Sequence, residues 1–403
     1  MPELRLLLLQ AVAILLATRV AAAVFRRIGQ PAVVGEMAAG ILLGPSVLGR
    51  ISPAAMNQLF PPAGLGPLYA ASQLGLVLFM FLMGLDIRPA LLRRTAKPVL
   101  GTSLAGIVVP FVGGAWLAWS LDPESAGAAS RWGFALFVGT AMAVTAFPVL
   151  ARILAERKTL DRNVAMFAMS CAAVNDVAAW CLLAVATVVA RPGVDYAPLG
   201  IRFAALAAYC LAMVFLIRPL LRRVFPPEET PPLGRFGTAM IFVLASAWAT
   251  EALSVHALFG AFLAGVVMPK GGKLEAAFRE RIETVTLAVF VPLFFAYTGL
   301  RTRVDLLSNG GAWRSCGLIL VVAVGSKFLV SAVSSRALGM PWRESSIVGV
   351  LMNTRGLVEL VVLNARLDLH ILTQAVFSML VLMALVTTVM TAPLLDWIAP
   401  RPS

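Results

Sequence analysis

One carboxylate stands alone in the middle of a long apolar run: Asp176, preceded by Asn175, within 161–190. An ionisable side chain at the centre of a membrane span costs at least about 2.5–3.5 kcal/mol, which marks it as functional by default. Its neighbours one helical turn away are Ala172, Ala173, Ala179 and Trp180. Alanines let adjacent helices approach closely. In the dry site that results, a proton and a cation compete for the same oxygens. Asn175 can add an amide oxygen to a cation shell without adding charge. The plainer alternative is an aspartate held by hydrogen bonds from adjacent helices.

Three other runs carry polar groups at their centres. The run 132–155 contains Thr140, Thr145, Ala146 and Pro148. A proline there removes an N–H and frees the carbonyl of Val144, so a break exposes carbonyls and the Thr145 hydroxyl to a cavity. A kink with no ligand role is the alternative. The run 344–365 carries Asn353, Thr354, Arg355 and Gly356, a second place for a break. Glu359 lies four residues after Arg355 on the same face and is a ready structural partner for it. The run 312–338 carries Lys327 beside Gly325 and Ser326. The chain has 28 arginines and five lysines, and the other four lysines fall in loops. A compact ammonium that adapts its protonation to burial suits a titrating site. Elsewhere, Arg19 is close enough to a span end to snorkel. His256 lies near a loop, where water solvates it. Glu36 and Asp86 lie at cytoplasmic span ends, where pairing with local basic residues is expected. Cys171, Cys181, Cys210 and Cys316 follow no metal-ligand spacing and read as small buried residues.

Lipid must be the solvent for the elements that hold these residues. The 403-residue chain is 60% hydrophobic and 13% charged, about half the charged share of a soluble domain. Apolar runs give thirteen candidate spans: 4–25, 31–49, 66–86, 97–121, 132–155, 161–190, 198–217, 235–252, 255–269, 284–300, 312–338, 344–365 and 371–397. The ninth is short enough to be re-entrant. The first exceeds a secretory apolar core and lacks a cleavage site, so it reads as a retained span. Of the 33 basic residues, 21 fall on one side, nine on the other and three (Arg19, Lys327, Arg355) within spans. By the positive-inside rule the amino terminus is outside and the carboxyl terminus cytoplasmic. The net charge of +13 is then an orientation signal and needs no nucleic acid partner.

The chain also repeats itself. Residues 78–92 and 293–307 agree at seven of fifteen positions, including Gly84/Gly299 and Arg88/Arg303. Gly35, Ala39 and Gly40 match Gly260, Ala264 and Gly265. Both matches shift by seven spans, an odd number, so the repeat is inverted. Such repeats place a transport site at the midplane between discontinuous helices. The expected organisation is repeat one over about 4–190, a linker helix over about 198–217 and repeat two over about 235–397, all in one transmembrane domain.

The stretches VVGEMAAGILLGPSVLG (33–49), FMFLMGLDIRP (79–89), TAFPVLARILAE (145–156), NDVAAW (175–180), VPLFFAYTGLR (291–301) and NTRGLVELVVLN (353–364) resemble the monovalent cation/proton antiporter superfamily. The plant cation/H⁺ exchanger branch and its bacterial relatives are the most similar. The resemblance implies an all-α polytopic protein in which a core domain of crossing broken helices moves against a dimerisation domain. It implies a homodimer in the inner membrane of a bacterium, exchange of Na⁺ or K⁺ for H⁺, and no cofactor. Asp176 matches the family's ion-binding aspartate, Asn175 the residue before it, Thr145 the first broken helix, Lys327 the basic partner and Arg355 a second basic position. Asn175–Asp176 is similar to the electroneutral branches. Lys327 is similar to the electrogenic one, and Cys171 stands where other electroneutral exchangers have glutamate. The chain has no GxGxxG, so no nucleotide-binding domain in cis is expected. In the resulting cycle Asp176, protonated or ion-paired to Lys327, excludes cations, and its deprotonation admits one. The alternatives are a sodium-coupled organic-anion symporter of similar fold, a membrane enzyme and a channel. An enzyme would need a catalytic cluster, which two histidines near loops do not supply, and a midplane charge pair would block a channel.

Overall fold

The computed structural model of the protein describes residues 3–86, 96–121, 131–156, 160–189, 197–226, 229–253, 255–308, 310–368 and 372–399. Arg88, Arg93, Arg94, Arg157, Lys158, Arg191, His370 and Arg401 lie outside them. All regular structure among the described residues is helical. Ten helices there are long and apolar enough to cross a membrane, and the chain is a multi-pass membrane protein. The fifth and twelfth expected spans are each interrupted, and the ninth is a helix of 11 residues.

In chain order, α1 is Glu3–Arg27, α2 Ala32–Leu43, α3 Leu65–Asp86 and α4 Ala96–Ser120. The fifth span divides into α5 Arg131–Ala143 and α6 Phe147–Glu156, and α7 is Arg162–Val189. Next, α8 begins with Ala197–Ala212 and runs on to residue 224, α9 is Leu233–Ala252 and α10 is Ala257–Val267. The continuous run 272–300 is α11, and α12 is Gly310–Ala337. The twelfth span divides into α13 Trp342–Met352 and α14 Leu357–Asp368, and α15 is Gln374–Ile398.

Two groups of helices result. In the first, α1, α2, α3, α9, α10 and α11 pack on one another; in the second, α4, α5, α6, α7, α12, α13, α14 and α15 do so around the interrupted spans. Glycines set the closest approaches within the first group. A Cβ on Gly40 of α2 would lie 2.3 Å from the Phe295 carbonyl oxygen of α11, and one on Gly299 would lie 1.9 Å from the Gly40 carbonyl carbon. The pair α3 and α10 meets in the same manner. A Cβ on Gly84 would fall 2.1 Å from the Phe262 oxygen, and one on Gly265 2.1 Å from the Phe81 oxygen. No side chain fits these crossings.

Charged and polar side chains join the groups at two places. Glu36 of α2 accepts from both terminal nitrogens of Arg152 of α6, at 3.0 and 3.3 Å. Arg301, after α11, donates to Asn364 Oδ1 of α14 at 3.3 Å, while Asn364 Nδ2 donates to Thr298 Oγ1 at 2.8 Å. Asp86 pairs with Arg279. Glu36 and Asp86 thus find basic partners, but across 116 and 193 residues of chain and not locally as expected, because packing brings distant helices to the span ends. Two expectations are corrected. His256 is the N-cap of α10, its Nδ1 accepting from Leu258 N at 3.4 Å. Of the four cysteines only Cys171 is buried; Cys181 is exposed and the others are intermediate, because their helices face outward at those positions.

Candidate functional site

The interruption between α5 and α6 covers residues 144–146, and the one between α13 and α14 covers 353–356. Pro148 is the second residue of α6, where its missing N–H is one the helix start would leave unbonded anyway. The interruptions satisfy each other. Ala146 N donates to Thr354 O at 3.1 Å, and Thr145 Oγ1 donates to Met352 O at 3.2 Å. Thr388 of α15 holds the second interruption from behind: its hydroxyl donates to Arg355 O at 2.6 Å and accepts from Arg355 N at 3.2 Å. A Cβ on Gly356 would lie 2.7 Å from Val149 Cγ2, so the second interruption can sit against α6 only with glycine there.

Each half-helix end carries orphan backbone groups and a partial charge. At the end of α5, Arg355 donates to Ala141 O at 2.8 Å and Met142 O at 2.9 Å, and Lys327 Nζ donates to Ala143 O at 2.5 Å. Two buried cations therefore cap three consecutive terminal carbonyls. Lys327 also donates to Gly106 O of α4 at 2.7 Å. It lies in a π-helical turn, Gly325–Leu329, whose wider backbone turn re-aims a side chain at a functional position. At the opposite charge, the carboxylate of Asp176 on α7 meets the backbone N–H of Phe147 at the start of α6. That is a favourable place for an anion.

Asp176 is buried, and its Oδ1 has no hydrogen-bond partner among the described residues. Asn175 lies between the cations and the interruption. With its amide turned so that Oδ1 faces the ammonium, it accepts from Lys327 Nζ at 3.2 Å while Nδ2 donates to Ser103 O at 3.3 Å, and the Thr145 hydroxyl lies 3.3 Å away. The expected Asp176–Lys327 ion pair is absent from this structure, because both of the ammonium's short bonds go to carbonyls. Arg355 does pair with Glu359, at 3.3 Å with both side chains fully buried.

The structure thus brings Asp176, Asn175, Thr145, Lys327 and Arg355 together, with Ala146, Thr354 and Glu359 beside them. Thr140 is not recruited: its hydroxyl donates to Leu136 O of its own helix at 2.7 Å. Asn353 lies at the second interruption with a buried, unpartnered Oδ1. Sequence reasoning passed over α4 and α15. Their signals were Ser103 and Gly106 in one apolar run and Thr387–Thr388 in the other.

What this centre can do is hold one charge at a time on Asp176. The neighbouring cations are occupied with backbone, so the free carboxylate oxygen is open to a proton or a small cation.

A profile of the family described as "Sodium/hydrogen exchanger, transmembrane" matches residues 12–397. The chain belongs to this family. Sodium/hydrogen exchanger relatives include Cation/H(+) antiporter 17 of Arabidopsis thaliana, 41% identical over 396 residues, covering 97% of this chain and 48% of that protein. Na(+)/H(+) antiporter NhaS4 of Synechocystis is 38% identical over 99% of this chain and 98% of its own length. K(+)/H(+) antiporter 1 of Saccharomyces cerevisiae is 32% identical over 98% of this chain and 47% of its own. The chain spans about half the length of the plant and yeast proteins it matches. Their names describe transporters and not enzymes. Among solved structures, the sodium proton antiporter MjNhaP1 of Methanocaldococcus jannaschii shares the fold, with TM-score 0.65 at 15% identity over 99% of this chain and 98% of that one.

Proposed function

We propose that the protein exchanges a monovalent cation, Na⁺ or K⁺, for H⁺ by alternating access at Asp176. The observation that carries this reading is the buried Asp176 carboxylate at the meeting of two interrupted helices, with one oxygen unpartnered. The names of the relatives, all cation/H⁺ antiporters, support the reaction class. Cation and proton cannot both neutralise one carboxylate, so each displaces the other. Thr145, Asn175 and backbone carbonyls of the interruptions are the oxygens nearest to hand for a cation. In this cycle Lys327 and Arg355 hold the end of α5 and offset its partial negative charge.

The same reading takes the chain as two inverted repeats about a linker helix. Its support is the pair of glycine crossings: the repeat maps Gly40 to Gly265 and Gly84 to Gly299, and the contact of Gly40 with Gly299 recurs as that of Gly265 with Gly84. The helices around the interruptions then form the moving core, and the other group forms the dimerisation frame of a homodimer. The distribution of basic residues supports an amino terminus outside and a carboxyl terminus inside the cell, in a plasma membrane.

The test is a proteoliposome fluorescence-dequenching assay with Na⁺, K⁺ and Li⁺ at several pH values, with and without a potassium–valinomycin clamp. Cation-driven proton movement is expected. Its absence with all three ions, or cation uptake coupled to an organic anion, would contradict the proposal.

A further inference from the structure

We propose that the cavity between α1, α2, α6 and α11 binds a phosphate group, carried on an anionic phospholipid or free in solution. The cavity holds about 210 Å³ and is lined by Arg19 and Arg26 of α1, Glu36 of α2 and Arg152 of α6, with Leu287 and Pro292 of α11. It lies at the seam between the two helix groups, away from Asp176.

The charges in it do not balance. Both oxygens of Glu36 are engaged by Arg152. Arg19 and Arg26 have neither hydrogen bond nor ion pair among the described residues. Two guanidinium groups on the cavity wall, Arg19 and Arg26, are therefore left without a carboxylate among the described residues, beside a Glu36 already held by Arg152. Arg19 precedes Arg26 by two helical turns on the same face, roughly 10 Å deeper along the helix. Arg19 is exposed, so its long side chain can snorkel to the membrane surface or turn to an anion held in the cavity. Orientation signalling accounts for Arg26 at the end of α1, but it does not require a second arginine two turns inward on the cavity wall.

Phosphate is the anion these groups fit. Guanidinium forks donate in pairs to oxyanions, and two stacked along one helix face reach different oxygens of one group. A small carboxylate would meet only one fork. Leu287 and Pro292 give the cavity an apolar wall, against which the glycerol and ester carbons of a lipid headgroup can rest. A bound phosphate would bridge α1 to Arg152 of α6 and so tie the two helix groups together.

The test uses the full chain in a neutral detergent, following thermal unfolding during titration with phosphatidylglycerol, phosphatidylcholine or inorganic phosphate. A ligand that binds only the folded state raises the midpoint with concentration, here by about 2–5 °C. Phosphatidylglycerol, inorganic phosphate or both should do this, and phosphatidylcholine should not. A response to phosphatidylglycerol alone identifies the lipid, and one to inorganic phosphate identifies the free anion. The double variant Arg19→Gln/Arg26→Gln should lose most of the response, while Arg27→Gln, outside the cavity, should keep it. Should the double variant not fold, Arg19→Lys retains the charge without the fork and should need several-fold more ligand for the same shift. No response in the natural protein, or an undiminished one in the double variant or in Arg19→Lys, overturns the proposal.

Discussion

Charges inside a helical bundle need partners, and around Asp176 the partners are mostly backbone. Lys327 caps Ala143 and Gly106, Arg355 caps Ala141 and Met142, and Glu359 completes the shell of Arg355. Removing one member of a buried pair leaves the other uncompensated, at about 3–5 kcal/mol. Glu359→Ala should therefore lower the unfolding midpoint markedly, and a double-mutant cycle with Arg355→Met should show strong coupling. The equivalent cycle between Lys327→Met and Asp176→Asn should show weaker coupling, because no ion pair joins them here; equal coupling would restore the pair expected from sequence. Competition at one carboxylate also fixes a pH dependence. Below the range in which Asp176 titrates, the apparent KM for the cation should rise about tenfold for each unit by which pH falls, as reciprocal linkage requires. A KM independent of pH in initial-rate dequenching would contradict a shared site. Asp176, Asn175, Lys327, Arg355 and Glu359 were all legible as polar residues centred in apolar runs. Their partners were not, because a backbone carbonyl leaves no mark in the sequence until the chain is folded against it.

The elements matter through where they stop. Both interruptions could be read from Pro148 and from the Asn353–Gly356 cluster. Their mutual hydrogen bonds could not, since Ala146 and Thr354 are ordinary residues whose backbone does the bonding. The π-helical turn at Lys327 and the hydroxyl support from Thr388 were likewise invisible to apolar periodicity. Helix approach, by contrast, was encoded in single glycines. Gly299→Ala or Gly265→Ala puts a methyl 1.9 or 2.1 Å from a backbone atom, far inside van der Waals contact, and overpacking of this kind costs about 1–3 kcal/mol or more. Both should reduce the folded yield and thermal stability in detergent. Gly317→Ala, with no atom within 4 Å of its added Cβ, should change either by little. Indistinguishable midpoints for the three variants would contradict the close crossings.

At the scale of the molecule, two packed groups meet at a seam crossed by Glu36–Arg152 and by Arg301–Asn364. Multi-pass character, the long helices and the family were legible in composition and motif, because lipid imposes long apolar runs that sequence cannot hide. The division into groups was implied by the family resemblance alone, since it depends on which faces pack and not on how apolar they are. The central claim is that one residue carries both ions across this assembly. Its most direct measurement is cation-driven dequenching in proteoliposomes containing Asp176→Asn, with folding checked by its unfolding midpoint and elution from a sizing column. The account predicts a folded protein with no exchange for Na⁺ or K⁺ at any pH, while Thr140→Ala, whose hydroxyl serves only its own helix, exchanges normally. Cation–proton exchange persisting in folded Asp176→Asn would contradict it.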